Sequence, residues 1–103
     1  MRVIFVLAFI SSIALGYNVH LYQDTAFDGR TYHVMSHKCE DIPDWMKYEV
    51  SSINTHGTCI FIYKESGCSG EWGVMAPGTL GFHNLKEISF DNVVRSIGPC
   101  RGM

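Results

Sequence analysis

Four cysteines, five histidines and a few short polar clusters carry whatever chemistry this chain can do. The cysteines are Cys39, Cys59, Cys68 and Cys100, spaced by 20, 9 and 32 residues. Zinc sites bring their ligands in close pairs such as C-x-x-C, and no such pair is present. An even count in a short chain with an export signal reads instead as two disulfides, with three connectivities open. His33, His37 and Cys39 crowd one stretch. On a helix two histidines four apart are close neighbours on one face, but this stretch reads as strand, so no metal is assigned to it. His20, His33, His37, His56 and His83 are scattered along the chain with no carboxylate arranged beside them. They read as surface or satisfied core residues rather than catalysts. The serines sit in recurring structural patterns, so the expectation is a non-catalytic protein. Trp45 and Trp72 read as core or sheet-capping residues rather than as a sugar platform.

The elements that must position these residues follow an N-terminal leader. Arg2 precedes an apolar run from Val3 to Leu15, and Ala14-Leu15-Gly16 supplies small residues for cleavage. This is the anatomy of a secretory signal peptide over residues 1–16. The run is too short for the roughly 20 residues that span a bilayer, and no second such run follows, so no membrane span is expected. The exported chain, 17–103, has 87 residues, with 7 basic against 10 acidic side chains and a net charge of −3. No basic run exists, which argues against nucleic acid and anionic membranes as partners. One small extracellular domain, monomeric, is expected, and disulfides suit a domain of this size.

The sequence also repeats itself. Tyr22-Gln-Asp-Thr-Ala-Phe27-Asp-Gly29 recurs 41 residues later as Tyr63-Lys-Glu-Ser-Gly-Cys68-Ser-Gly70, and Val50-Ser51-Ser52-Ile53 recurs 44 residues later as Val94-Arg95-Ser96-Ile97. Two landmarks in one order with nearly one offset mark two copies of a forty-residue unit, about 17–56 and 57–103. Helical periodicity is nearly absent. Arg30–Met35 alternates as a half-buried strand does, and Cys59-Ile-Phe-Ile-Tyr63 is β-branched and aromatic. Short strands between Gly, Pro, Asp and Ser clusters predict an all-β sandwich. Cys39–Tyr48 is a longer connection with a short helical turn, and Gly81–Phe90 is its counterpart. Gly29 and Gly70 fall where a hairpin folding back on its sheet needs a positive φ.

The repeated pattern resembles the βγ-crystallin family. That family's motif is an aromatic, four residues, Phe/Tyr/Trp, one residue and Gly, followed later by two Asn/Asp residues, two variable ones, Ser/Thr and Ser. Tyr22, Phe27 and Gly29 fit it in copy one. Tyr63 and Gly70 fit it in copy two, with Cys68 in the aromatic position. The resemblance implies an all-β fold of two Greek-key motifs forming a two-sheet sandwich. It implies that the first and fourth strands of each motif lie side by side, which pairs Cys59 with Cys100 and leaves Cys39 for Cys68. It also implies calcium between the motifs, an ion that takes six to eight oxygens. In copy one the stretch reads Lys47-Tyr48-Glu49-Val50-Ser51-Ser52, without the Asn/Asp pair, and in copy two Asp91-Asn92-Val93-Val94-Arg95-Ser96, with Arg95 in place of the hydroxyl. One composite site is thereby lost, and one weak site, Ser51 with Asp91 and Asn92, keeps its side-chain oxygens. Glu49 is a carboxylate close by in sequence. The rival reading makes these residues turn formers.

The function expected is a secreted, disulfide-stabilised, non-catalytic protein with a structural or binding role, its partner an extracellular protein or a cell-surface target, with at most that one calcium site. The alternatives drawn from the resemblance are an antimicrobial or killer-toxin-like defence protein and an inhibitor of a secreted protease. Met75-Ala-Pro77-Gly-Thr-Leu-Gly-Phe82 is the most loop-like apolar segment and the expected partner surface.

Overall fold

The computed structural model describes residues 16–79 and 82–100. The expected leader therefore lies outside the described residues apart from Gly16, as do Leu80 and Gly81 of the apolar segment. Seven strands follow in order: β1 (Tyr17–Asp24), β2 (Asp28–Ser36), β3 (Glu40–Asp41), β4 (Ser52–Asn54), β5 (Ile60–Glu65), β6 (Ser69–Met75) and β7 (Ser96–Pro99), with a 3-10 helix at Leu85–Ile88 before β7. They form a three-stranded sheet in the order β2-β1-β4 and a four-stranded sheet in the order β3-β7-β5-β6, and every pairing is antiparallel.

The alternation in the sequence decides which side of each strand is buried. Tyr17, Val19 and Leu21 point inward from β1, with Val34 from β2 and Ile53 from β4. Ile60, Ile62, Met75 and Ile97 face them from the second sheet, and Ile42, Met46, Val50, Leu85, Phe90 and Val94 close the ends from the connections. Both sheets thus hide one apolar face against the other, as an antiparallel sandwich requires.

The third segment of each copy crosses to the other copy's sheet. β3 pairs with β7, so copy one completes the sheet of copy two. In return Ile53 N–H donates to Phe82 O at 3.0 Å and Leu85 N–H to Ser51 O at 2.9 Å, which places the 82–85 segment along β4. The equivalent bond on the other side is Ile42 N–H to Arg95 O at 2.9 Å. The connection after β3 holds the expected helical turn, with Met46 and Lys47 N–H both donating to Pro43 O at 2.9 Å. The 3-10 helix is its counterpart, and Asn84 caps it by accepting from Lys86 N–H. Among the described residues no helix is long and apolar enough to cross a membrane.

The structure joins Cys39 to Cys68 with Cα atoms 6.0 Å apart and Cys59 to Cys100 at 5.7 Å. Cys59 and Cys100 extend the adjacent strands β5 and β7, where Ile60 stands opposite Pro99. Cys39–Cys68 runs from the approach to β3 to the β5–β6 hairpin. It passes over Gly98, where any side chain would start 3.0 Å from Cys68 Sγ.

Candidate functional site

The repeat seen in the letters recurs in the geometry. Ala26, Phe27 and Gly29 have φ of 59°, 60° and 84°, and Gly67, Cys68 and Gly70 repeat them at 70°, 55° and 79°. Three left-handed residues in four fold each hairpin back over its sheet. One serine hydroxyl holds each fold. Ser52 Oγ donates to Asp24 O at 2.6 Å and accepts from Phe27 N–H at 3.0 Å. Ser96 Oγ donates to Glu65 O at 2.5 Å and accepts from Cys68 N–H at 2.9 Å. Both serines are fully buried, and each hydroxyl bonds two backbone groups of its hairpin, one as donor and one as acceptor. Phe27 packs on Tyr22 at 5.4 Å in copy one. In copy two the same corner is fixed by the Cys39–Cys68 bond.

Between the two motifs lie two pseudo-symmetric polar sites, and they are not alike. In the first, Ser51 Oγ stands 3.4 Å from Asn92 Oδ1, and Asn92 N–H donates to Val50 O at 3.0 Å. Asn92 has φ 60°. Asp91 Oδ1 is buried and finds no hydrogen-bond partner among the described residues. The structure thus gathers Ser51 and Asn92 from different motifs, with the Asp91 carboxylate adjoining. A buried, unpartnered carboxylate oxygen one residue in sequence from the Asn92 amide, which meets the Ser51 hydroxyl, is oxygen chemistry of the kind a hard cation takes. Glu49, the other carboxylate near in sequence, accepts from Gln23 Nε2 at 2.9 Å.

The second site is filled by the protein's own cation. Tyr48 takes the position of Asn92 and shares its backbone, with φ 66°. The Arg95 guanidinium lies over its ring at 5.3 Å and reaches Glu65 Oε1 at 3.5 Å, and Lys47 Nζ sits 5.8 Å from the same ring. A cation over an aromatic face is attracted by the ring quadrupole. These residues do not fit a metal ion: the oxygens are absent and positive charge is already in place.

The structure also gathers residues that look unrelated in the sequence. His20 on β1 stands opposite His33 on β2, and their rings stack at 4.1 Å with 4° between planes. His56, in the turn after β4, brings Nε2 to 2.7 Å from His20 Nδ1. The histidines are therefore not scattered. Their sequence separations matched no motif, and only strand register and the turn's geometry bring them together. His37 does not join them, and Cys39 is committed to its disulfide. Burial lowers the His20 pKa from its ordinary value, with smaller contributions in the same direction from His33 and His56.

Of the expectation that the tryptophans lie in the core or cap a sheet, the core half needs correction. Trp45 is 44% exposed and Trp72 56%, so neither is in the core. Trp72 stacks on Phe61 at 4.8 Å, and Trp45 packs edge-on against Tyr32 under the Arg30 guanidinium. Phe61 and Trp72 point outward because Ile60, Ile62 and Met75 take the inward positions on β5 and β6. On the opposite sheet a cleft of about 230 Å³ is lined by Phe27, Asn54, Thr55, Pro77, Phe82 and His83.

No family model matches the sequence, and no curated protein matches it. Solved structures do. The chain is similar to a βγ-crystallin from an archaeon, with 18% identity and a TM-score of 0.69 over 82% of this chain and 98% of that one. It is similar to a βγ-crystallin from Ciona intestinalis, with 20% identity and a TM-score of 0.67 over 81% and 99%. It is also similar to the fifth crystallin domain of the non-lens protein Absent in melanoma 1, with 16% identity and a TM-score of 0.65 over 85% and 91%. The protein is an all-β sandwich of two Greek-key motifs that exchange strands. That sandwich is the βγ-crystallin fold.

Proposed function

We propose that this is a secreted, extracellular, non-catalytic βγ-crystallin-like binding protein. It carries one weak calcium site, formed by Ser51, Asp91 and Asn92. The observation behind the calcium assignment is the contrast between the two inter-motif sites. One presents Asn92 Oδ1, Ser51 Oγ and an unpartnered Asp91 oxygen, and the other holds Arg95 against Tyr48. The two disulfides support the extracellular assignment, because such bonds persist in oxidising compartments. Exposed aromatic faces at Trp72 and Trp45 support a binding role, since aromatic residues are enriched at protein interfaces.

Thermal unfolding in chelator and in calcium tests the site. A ligand that binds only the native state stabilises it by RT ln(1 + [L]/Kd). With Kd near 1 mM, as in weak extracellular modules, about 10 mM calcium adds about 1.4 kcal/mol, a rise in Tm of about 6–11 °C. Asn92→Gly removes the amide oxygen while keeping a residue suited to φ 60°, and is expected to lose the rise. An unchanged Tm in calcium, or a rise that Asn92→Gly retains, removes this calcium site from the reading.

A further inference from the structure

We propose that His20 and His56 form a binding site for an imidazole-preferring divalent transition metal, Zn2+ or Cu2+, separate from the calcium site and on the outer face of the three-stranded sheet. The argument starts from the 2.7 Å between His20 Nδ1 and His56 Nε2. In the neutral pair one nitrogen donates its hydrogen to the lone pair of the other. Two imidazole nitrogens bound 2.0–2.1 Å from one tetrahedral ion stand about 3.3 Å apart, so the pair must open by about 0.6 Å and each ring must swing by roughly 35° to turn its lone pair from the other nitrogen toward the ion. The shared hydrogen then moves to the far nitrogen of its own ring, and both lone pairs face the ion.

The two rings are held in advance. His56 and Gly57, at φ 51° and 84°, are the central residues of a tight turn closed by Thr58 N–H to Thr55 O at 2.9 Å. Positive φ at both central positions defines a type I′ turn. His56 N–H donates to Asn54 Oδ1 at 2.9 Å, which fixes the turn against β4. Histidine is among the residues that tolerate this backbone region. His20 is fixed from the other side by the His33 ring stacked on it. His33 in turn meets Asn18 Oδ1 through Nε2 at 2.5 Å, so its Nε2 carries the hydrogen.

The surroundings suit an imidazole-bound ion and not a hard one. The neighbours of His20 on this face are Asn18, Tyr22, His33, Met35 and Asn54, which bring no charged side chain. Calcium, which needs oxygens, is not served here. Among the described residues no group of three or more His, Cys, Asp and Glu is placed to hold a metal. The site is therefore two imidazole nitrogens completed by water, and the exposure of His33 and His56 gives an ion free access.

The test is calorimetric titration of the tag-free protein with Zn2+ and, separately, Cu2+ at about pH 7.5, where imidazole is neutral, and at about pH 5.5, where protons compete for the same lone pairs. The expected result is saturable uptake of one ion per chain at the higher pH, weakened about tenfold or more by His20→Gln and by His56→Asn. His83→Gln leaves it unchanged, and so does calcium in excess. Paramagnetic resonance of the Cu2+ complex is expected to show two nitrogen ligands in the wild type and fewer in either variant. His56→Asn keeps a residue that tolerates positive φ, and its melting curve in chelator checks that the fold is intact. His20→Gln is an independent second variant. The proposal is overturned if neither ion binds saturably, or if uptake survives His20→Gln and His56→Asn in folded protein. Uptake that His83→Gln abolishes would also overturn it.

Discussion

Gly70 shows how much one residue decides. Its φ is 79°, and a Cβ there would stand 2.5 Å from Glu65 Cγ. Gly57 has φ 84° but open space around the missing side chain. The two positions separate backbone strain from crowding. Alanine at Gly57 is expected to cost about 1–2 kcal/mol, the strain of an L-residue in left-handed backbone. Alanine at Gly70 costs that and the displacement of Glu65, which pairs with Arg95. Urea unfolding of the two variants makes the comparison, and equal losses would show that the approach to Glu65 matters nothing. The role of this glycine was legible in the sequence, because an aromatic, a bulky residue and glycine recur at fixed offsets. The partners of the clamp serines were not. Ser52 and Ser96 stand out only as a repeat, and their hydrogen bonds span 25 to 31 residues. Arg95 was legible as a lost hydroxyl ligand. Its place over Tyr48 depended on which of several long rotamers the Glu65 carboxylate would select.

At the scale of elements, periodicity told inside from outside but not which strand lies beside which residue. Alternation in β1 puts Val19 and Leu21 in the core and His20 outside. That His20 then meets His33 comes from the β1–β2 register, and that it meets His56 comes from the turn after β4. Neither is encoded in the spacing of histidines. The assembly has a pH signature. The groups facing His20 are His33 from β2, His56 from the turn and Tyr22 from its own strand. Burial, with the two histidines adding to it, lowers the His20 pKa in the folded protein below its ordinary 6.5. The unfolded chain therefore takes up a proton first as pH falls. Stability present above about pH 6.5 is lost as pH drops through the folded value. Chelator-treated protein is expected to show a falling urea midpoint between about pH 7.5 and pH 5, in the window where imidazole titrates. His20→Gln is expected to flatten that fall. An equally steep fall in the variant would place the titrating group elsewhere.

The whole molecule is held by exchange. β3 belongs in sequence to copy one and in space to the sheet of copy two, while the 82–85 segment runs along β4. Neither copy can complete its sheet alone, so the forty-residue unit visible in the sequence is a unit of repetition and not of folding. The cysteines follow the same division. Cys59–Cys100 lies within copy two, and Cys39–Cys68 is the covalent bridge between the copies once the chain is cut. Cleavage at the exposed His56–Gly57 turn, through a protease site inserted there, separates the effects, since exposed turns tolerate insertion. The oxidised, cut protein is expected to remain one species in gel filtration with its β circular dichroism intact, because the exchanged strands and the Cys39–Cys68 bond still join the halves. Reduction removes two crosslinks that typically stabilise by about 2–4 kcal/mol each, a large part of the roughly 5–15 kcal/mol that holds a small domain folded. The reduced, cut protein is then expected to lose its β signal and run as two unfolded pieces, while the reduced but uncut chain unfolds at a lower urea concentration than the oxidised one. Two reduced halves that each run as folded monomers would show that a single motif folds without its neighbour, and that the strand exchange is not what makes the sandwich.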